Sequence, residues 1–365
     1  MRRLTKIAAA SAVLALALTG CGSNNDDEEE TTGGSLADVC TDASGDGPKI
    51  GVAYDVGGVG DLSFNDSATV GLKKAVDDLD ASCRTVEAGQ GENDADREER
   101  LRLLADEGFN PIVAVGYVYS PAVATVAAEY PETNFAVVDG YATALKEQEN
   151  VADLTFAEHE GSFLVGVAAA LTTEKKNVGF VGGVNGPLIQ KFEAGFKAGV
   201  EEIDPNIEIQ TQYLSQDDPV KGYENPAGGE TAATGMYENG ADVVYHAAGK
   251  SGLGVFDAVE AAGEGNWAIG VDSDQWLTAD ESQQPFILTS MLKRIDTAVF
   301  EYSEAFVDGE PPAGFVTYDM KSGGVDYSTS GDHLSEDALD QMEEYKQRIS
   351  DGDLTVPSTV GGAKQ

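Results

Sequence analysis

Apolar positions recur along this chain in two rhythms that take turns. A short apolar run at residues 50–53 leads into the polar, glycine-rich stretch 54–67, after which residues 68–79 carry apolar side chains at helical spacing. That order predicts a strand, a tight turn and a helix. The same succession continues downstream. Strands are predicted at 50–55, 85–88, 111–115, 135–138 and 151–156, with helices at 68–79, 96–107 and 121–129. A second series follows residue 160, with helices at 162–171, 188–202, 229–239 and 252–262 and strands at 178–181, 207–213, 242–245 and 267–271. Such alternation implies mostly parallel sheets with helices on both faces. Two series, with a further crossing near Ser290, predict an α/β chain of two lobes. Residues 48–158 with about 291–315 would form the N-terminal lobe, and 159–290 with about 316–350 the C-terminal lobe. Residues 335–350 read as a final helix and 351–365 as a loose tail.

The first 47 residues follow neither rhythm. Arg2, Arg3 and Lys6 precede an apolar run at 7–18 that is too short and wrongly flanked for a mature membrane span, so residues 1–20 read as an export signal. Leu18-Thr19-Gly20-Cys21 resembles a lipobox, in which the cysteine is lipidated and becomes the mature N-terminus. The alternative is an ordinary signal peptide with an incidental cysteine. A lipid on Cys21 would hold the chain at the cell membrane, facing away from the cytoplasm. Residues 21–47 are acidic and then small, which suits a tether better than a packed core.

Charge narrows the partners. The chain of 365 residues carries 23 basic and 64 acidic side chains, a formal charge of −41. Removing Arg2, Arg3 and Lys6 with the leader takes this to −44. That excess opposes nucleic acid and anionic lipid headgroups alike. It reads as a solvated acidic surface and says nothing about a small ligand. Besides Cys21 the cysteines are Cys40 and Cys83. In an exported chain an even pair predicts one disulfide, the alternative being two unpaired thiols.

Enzymatic chemistry finds little support. The three histidines, His159, His246 and His333, show no metal-binding spacing, so no metal and no cofactor are expected. Ser290-Met291-Leu292-Lys293 has the Ser-x-x-Lys form of penicillin-binding enzymes, but no Ser-Asp-Asn or Lys-Thr-Gly accompanies it. The turn at 54–67 points instead to binding. Its glycines permit a sharp bend and close approach to a ligand. Ser63, Asn65 and Asp66 are candidate N-caps for the following helix. Asp55 would stand at the carboxyl end of the first strand, where open α/β sheets bind ligands.

Asp55-Val56-Gly57-Gly58 followed by Asp61-Leu62-Ser63-Phe64-Asn65-Asp66-Ser67 resembles the opening motif of the basic membrane protein family, the PnrA-like nucleoside-binding lipoproteins of ABC importers. Three later stretches agree with that family in order and spacing: Gly249-Lys250-Ser251-Gly252-Leu253-Gly254-Val255, Gly270-Val271-Asp272-Ser273-Asp274-Gln275 and Ser290-Met291-Leu292-Lys293-Arg294. The resemblance spans roughly residues 48–320. It implies a monomeric, two-lobed periplasmic-binding-protein fold of the first type. The ligand would be a purine nucleoside such as guanosine, inosine or adenosine, delivered to ABC permease subunits.

By the same resemblance Phe64 is one ring stacked on the base. Tyr223, within Gly222-Tyr223-Glu224-Asn225-Pro226-Ala227-Gly228-Gly229, stands where the family has a second aromatic, usually phenylalanine; Tyr213 lies nearby. Asp139, Gly249, Asp272 and Lys293 would face the ribose, Asp55 the base edge, and Asn65 completes the set from the first turn. Val56 departs from relatives that carry a polar residue there, which bears on base preference. Two other functions compete with transport. One is a sensor or regulatory lipoprotein of the same fold without an importer. The other is a nucleoside-cleaving enzyme, for which Asp55, Asp61 and Asp66 lack the tight spacing of a calcium-binding cluster.

Overall fold

A computed structural model describes residues 36–361 except Asp42 and Gln90, so Cys21 and the proposed export signal lie outside the described residues. Within them the chain builds two six-stranded sheets. The strands in chain order are β1 (Lys49–Ala53), β2 (Ser82–Val86), β3 (Ile112–Val115), β4 (Phe135–Val138), β5 (Val151–Phe156), β6 (Asn177–Val184), β7 (Glu208–Ser215), β8 (Val243–Ala247), β9 (Trp267–Asp272), β10 (Ile287–Lys293), β11 (Gly314–Tyr318) and β12 (Val325–Tyr327). The first sheet runs β11-β5-β4-β3-β1-β2 and the second β12-β10-β9-β8-β6-β7. Every pairing is parallel except that of β10 with β12. Parallel sheets need cover on both faces, and the central strands show it: all four residues of β3 and of β4 are buried, and all are Ile, Val, Ala or Phe. This is the two-lobed architecture of type I periplasmic binding proteins.

The chain passes between the sheets three times: after β5 into the helix Glu158–Thr172, after β10 into the helix Ile295–Val307, and from β11 to β12. The second passage comes later than residue 291, because β10 runs unbroken to Lys293 in the second sheet. The third comes later than 316, because β11 pairs with β5 as far as Tyr318. The residues in which these strands end, Leu292-Lys293 and Thr317-Tyr318, give no sequence sign of a change of lobe. A single cluster of buried side chains joins Ile50, Val52 and Leu72 to Phe180, Tyr245 and Met291, so the passages run through packed core. The last helix, Glu336–Ser350, seats Met342 and Ile349 in that cluster and sets Tyr345 edge-on against Phe163 at 5.4 Å. The expected loose tail is packed at its start: Val356 is 5 % exposed within the same core.

Cys40 and Cys83 are joined by a disulfide. It holds the segment before β1 along the outer edge of β2, where Ser44 bridges to Ser82 and the Gly47 amide donates to the Asp80 carbonyl at 2.8 Å. An open edge of this kind invites pairing with another chain, and the stapled segment covers it. Closing a separation of 43 residues removes denatured-state entropy corresponding to about 4 kcal/mol in the chain-entropy account.

Candidate ligand-binding cleft

The cleft is built from strand ends. Asp55 follows β1, Asp139 follows β4, Gly249 follows β8, and Asp272 and Lys293 are the last residues of β9 and β10. These are the carboxyl ends, where helices depart and open sheets leave a crevice. Asp139 and Asp272 both adopt left-handed backbone, at φ 59° and 66°. Such strain in non-glycine residues concentrates where side-chain direction matters. Gly116, at φ 106°, has a different necessity: a Cβ there would stand 2.1 Å from the Asp55 Oδ2.

The turn after β1 organises its own polar groups. Its helix spans Phe64–Asp78, starting four residues earlier than its apolar pattern predicts. Ser63 occupies the N-cap position without capping through its side chain. Asp61 does that work, accepting from the backbone amides of Ser63, Asn65 and Asp66 at 3.0, 2.8 and 3.1 Å. Asp66 folds back to accept from Gly60 N at 2.6 Å and Leu62 N at 3.0 Å. Asn65 spends its amide within the turn, donating to Asp61 at 2.9 Å and accepting from the Asp55 amide at 3.3 Å. It therefore lines the cavity as a brace for Asp55.

Relieved of capping, Ser63 reaches across the cleft. Its hydroxyl lies 2.9 Å from Asp272 Oδ2 and 3.2 Å from the Val271 carbonyl. In return the Ser273 hydroxyl donates to the Ser63 carbonyl at 3.0 Å. Lys250 approaches the Gly57 carbonyl at 3.5 Å. These contacts join the two lobes across the cleft.

Between them lies a cavity of about 560 Å³, counting the space at its mouth, a size suited to a small organic ligand. All eight positions expected to bind ligand line it: Asp55, Phe64, Asn65 and Asp139 from the first lobe, and Tyr223, Gly249, Asp272 and Lys293 from the second. Tyr213 does not; its ring packs on Phe180 and its hydroxyl donates to Glu193. The Tyr223 hydroxyl faces that of Tyr117, another lining residue, and burial raises the pKa of both. Its ring is the reason residue 183 must be glycine, since a Cβ there would meet the Tyr223 ring at 2.3 Å.

Lys293 is the electrostatic centre. Only 1 % exposed, its ammonium sits 2.6 and 2.7 Å from the two oxygens of Asp139 and 3.3 Å from Glu158. Three rings surround it: Phe156 at 5.0 Å, Phe64 at 5.3 Å and Phe192 at 5.5 Å. Burial alone would discharge this lysine, but Asp139, Glu158 and Asp272 together raise its pKa and keep it cationic. The carboxylates feel the opposite pressure. Burial pushes Asp272 up to about 7 despite the nearby Lys293, and pushes Asp55 up to about 7 despite the Val56 amide and Arg97. Burial likewise raises Asp139, with Lys293 opposing it.

These shifts carry a sign. A carboxyl whose folded pKa exceeds its ordinary value binds its proton more tightly when folded. Its favourable contribution is complete below the ordinary carboxylate range and is lost as pH climbs through about 7. The thermal midpoint should therefore rise between pH 8 and pH 6, and rise less steeply in Asp55→Asn. A variant with the wild-type slope would remove Asp55 from this account.

Several residues in or around the cleft had no sequence signal that singled them out. Glu158 looks like an ordinary acid in the first turn of its helix, and it is fully buried. Phe192 sits on the helix Pro187–Ile203 as one apolar position among many. Tyr117 follows β3 directly after Gly116, and that glycine-then-aromatic step at a strand end could have marked it. His246 is buried behind the cleft, where burial lowers its pKa to about 3 and keeps it neutral. Among the described residues no group of His, Cys, Asp and Glu could hold a metal ion.

Known proteins resemble this chain in sequence and fold. Residues 48–359 match the family described as ABC transporter substrate-binding protein PnrA-like. The chain is 31 % identical over 370 residues to the ABC transporter nucleoside-binding protein BmpA of Lactococcus lactis, covering 98 % of this chain and 99 % of that one. It is 36 % identical over 321 residues to the CD4+ T-cell-stimulating antigen of Listeria monocytogenes, covering 84 % and 87 %. The crystal structure of an ABC transporter solute-binding protein from Aeropyrum pernix superimposes with a TM-score of 0.73 at 28 % identity, covering 85 % of this chain and 94 % of that one. The chain belongs to the PnrA-like family of ABC transporter substrate-binding proteins, a family of binders rather than of catalysts.

Proposed function

We propose that the cleft captures a purine nucleoside and that closure of the two lobes presents it to an ABC permease. One observation carries this reading. A single cavity joins aromatic rings from both lobes, Phe64 and Tyr223, to the carboxyl of Asp55 and to a polar cluster of Asp139, Asp272 and Lys293. A purine offers a flat π-face to the rings and a polar edge to Asp55. A ribose offers vicinal hydroxyls, which Asp272 can accept and Lys293 can donate to. Lobes closing about three connecting segments suit capture and release. A relative named as nucleoside-binding at 31 % identity over nearly its whole length supports the ligand class.

Stacking is worth about 1–3 kcal/mol per base face. Phe64→Ala should therefore weaken binding by roughly ten- to a hundredfold, and Phe64→Tyr far less. Equal affinities of wild type and the alanine variant in calorimetry would place the ligand elsewhere. The identity of the ligand is tested by mass spectrometry of small molecules released on denaturing the purified protein. A purine nucleoside supports the reading; a stoichiometric solute of another class overturns it.

The anchor belongs to the same proposal. Cys21 in Leu18-Thr19-Gly20-Cys21 would carry the lipid that keeps the receptor beside its permease. Only a thiol accepts such a lipid by thioether, so Cys21→Ala should leave an unlipidated precursor, changed in mass and in detergent partitioning. Unchanged partitioning would refute the anchor.

A further inference from the structure

A second hollow of about 1120 Å³ opens beside the ligand cavity. The two share Tyr117, Asp139, Leu188, Ile189 and Tyr223, so one is the doorway of the other. Of the four residues proposed to face the sugar, Asp139 alone lines both. Beyond it the outer hollow is walled by Pro187, Tyr141 and Phe315. Tyr141 is 39 % exposed and Phe315 57 %, an apolar surface left uncovered among the described residues. Its polar floor is already neutralised: Lys293 engages Asp139, and Lys191 bonds Glu158 at 3.0 Å and the Phe156 carbonyl at 3.3 Å.

From this juxtaposition we infer that the protein takes nucleosides bearing an apolar substituent on the 5′-carbon, with the substituent lying in the outer hollow. The inference rests on the nucleoside reading above. With the 2′- and 3′-hydroxyls assigned to Asp272 and Lys293, the sugar carbon left for the doorway beside Asp139 is the 5′-carbon. An alkyl or thioether group there leaves water for an apolar wall. A 5′-phosphate in the same place meets Asp139 and Glu158, each already paired with a lysine, so it loses its water and gains no unpaired cation in exchange. The outer hollow thus sorts 5′-alkylthio nucleosides from nucleotides.

The test is equilibrium titration of the ligand-stripped full chain with adenosine, inosine and guanosine. Each is compared with its 5′-deoxy-5′-isobutylthio derivative and its 5′-monophosphate. For whichever parent binds, the isobutylthio derivative should bind within about threefold of it or tighter, and the monophosphate at least about a hundredfold more weakly. A second variant locates the substituent. Gly186 lines the outer hollow but not the inner cavity, and a Cβ added there meets nothing within 4 Å. Gly186→Trp should leave the parent within about threefold and weaken the isobutylthio derivative by about tenfold or more. Parent binding with loss of the derivative in the wild type, equal binding of the monophosphate, or equal effects of Gly186→Trp on both ligands overturns this inference alone. Failure of all three parents overturns the nucleoside reading beneath it.

Discussion

Replacing Lys293 with methionine should open the cleft and abolish tight binding. Among the described residues the ammonium is the only cation in an ion pair with Asp139, and it also faces Glu158 and Asp272. Its pair with Asp139 spans the lobes, from the end of β10 to the end of β4. Removing one partner of a buried pair leaves the other charge uncompensated, at a cost of about 3–5 kcal/mol. Methionine fills much the same volume, so the penalty is electrostatic. The protein has one cheap relief, which is to separate the lobes and let water reach Asp139. The expected result is a larger radius of gyration in X-ray scattering and a loss of affinity of about two to three and a half orders of magnitude. Adding Asp139→Asn should restore closure, because the stranded charge is gone. A Lys293→Met protein that scatters and binds like the wild type would refute the role given to this pair.

The second large effect concerns the sugar. Asp272 Oδ2 already accepts from Ser63, which leaves Oδ1 for a ligand hydroxyl. A site built to bond hydroxyls rejects analogues lacking them, because its buried polar groups are left unpaired. The rejection reaches about 10⁴-fold where the site is dry. Binding of a ribonucleoside should thus exceed that of its 2′,3′-dideoxy analogue by about 10²- to 10⁴-fold. In Asp272→Ala the ratio should collapse towards unity while stacking on Phe64 persists. An undiminished ratio in that variant would move the sugar site away from Asp272.

How much of this could be read beforehand differs by residue. The turn of Gly57, Gly58 and Gly60 after an apolar strand announced a binding loop from local chemistry alone, and Asp55 followed from its place at a strand end. Asp139, Asp272 and Lys293 lie far apart in sequence. Their meeting was legible only through resemblance to a family, because convergence of strand ends is a tertiary fact. Glu158 and Phe192 were illegible for a plainer reason: an acid in a helix's first turn and an aromatic on an amphipathic face have local explanations that suffice. Ser63 shows local reasoning overruled. It holds the N-cap position, for which sequence offers Ser63, Asn65 and Asp66 alike, yet Asp61 takes over the capping and frees the hydroxyl for the other lobe. The crossings after Lys293 and Tyr318 fall about two residues later than the expected 291 and 316, because a strand's end carries no mark of the sheet it belongs to.

The measurement that bears most directly on the account is calorimetric titration of the ligand-stripped protein with inosine, guanosine, adenosine and hypoxanthine. The cleft predicts one saturable site per chain for at least one of the nucleosides, and binding of the free base weaker by at least about thirtyfold. Saturation by hypoxanthine at the affinity of inosine, or no binding of any of the three nucleosides, would contradict it.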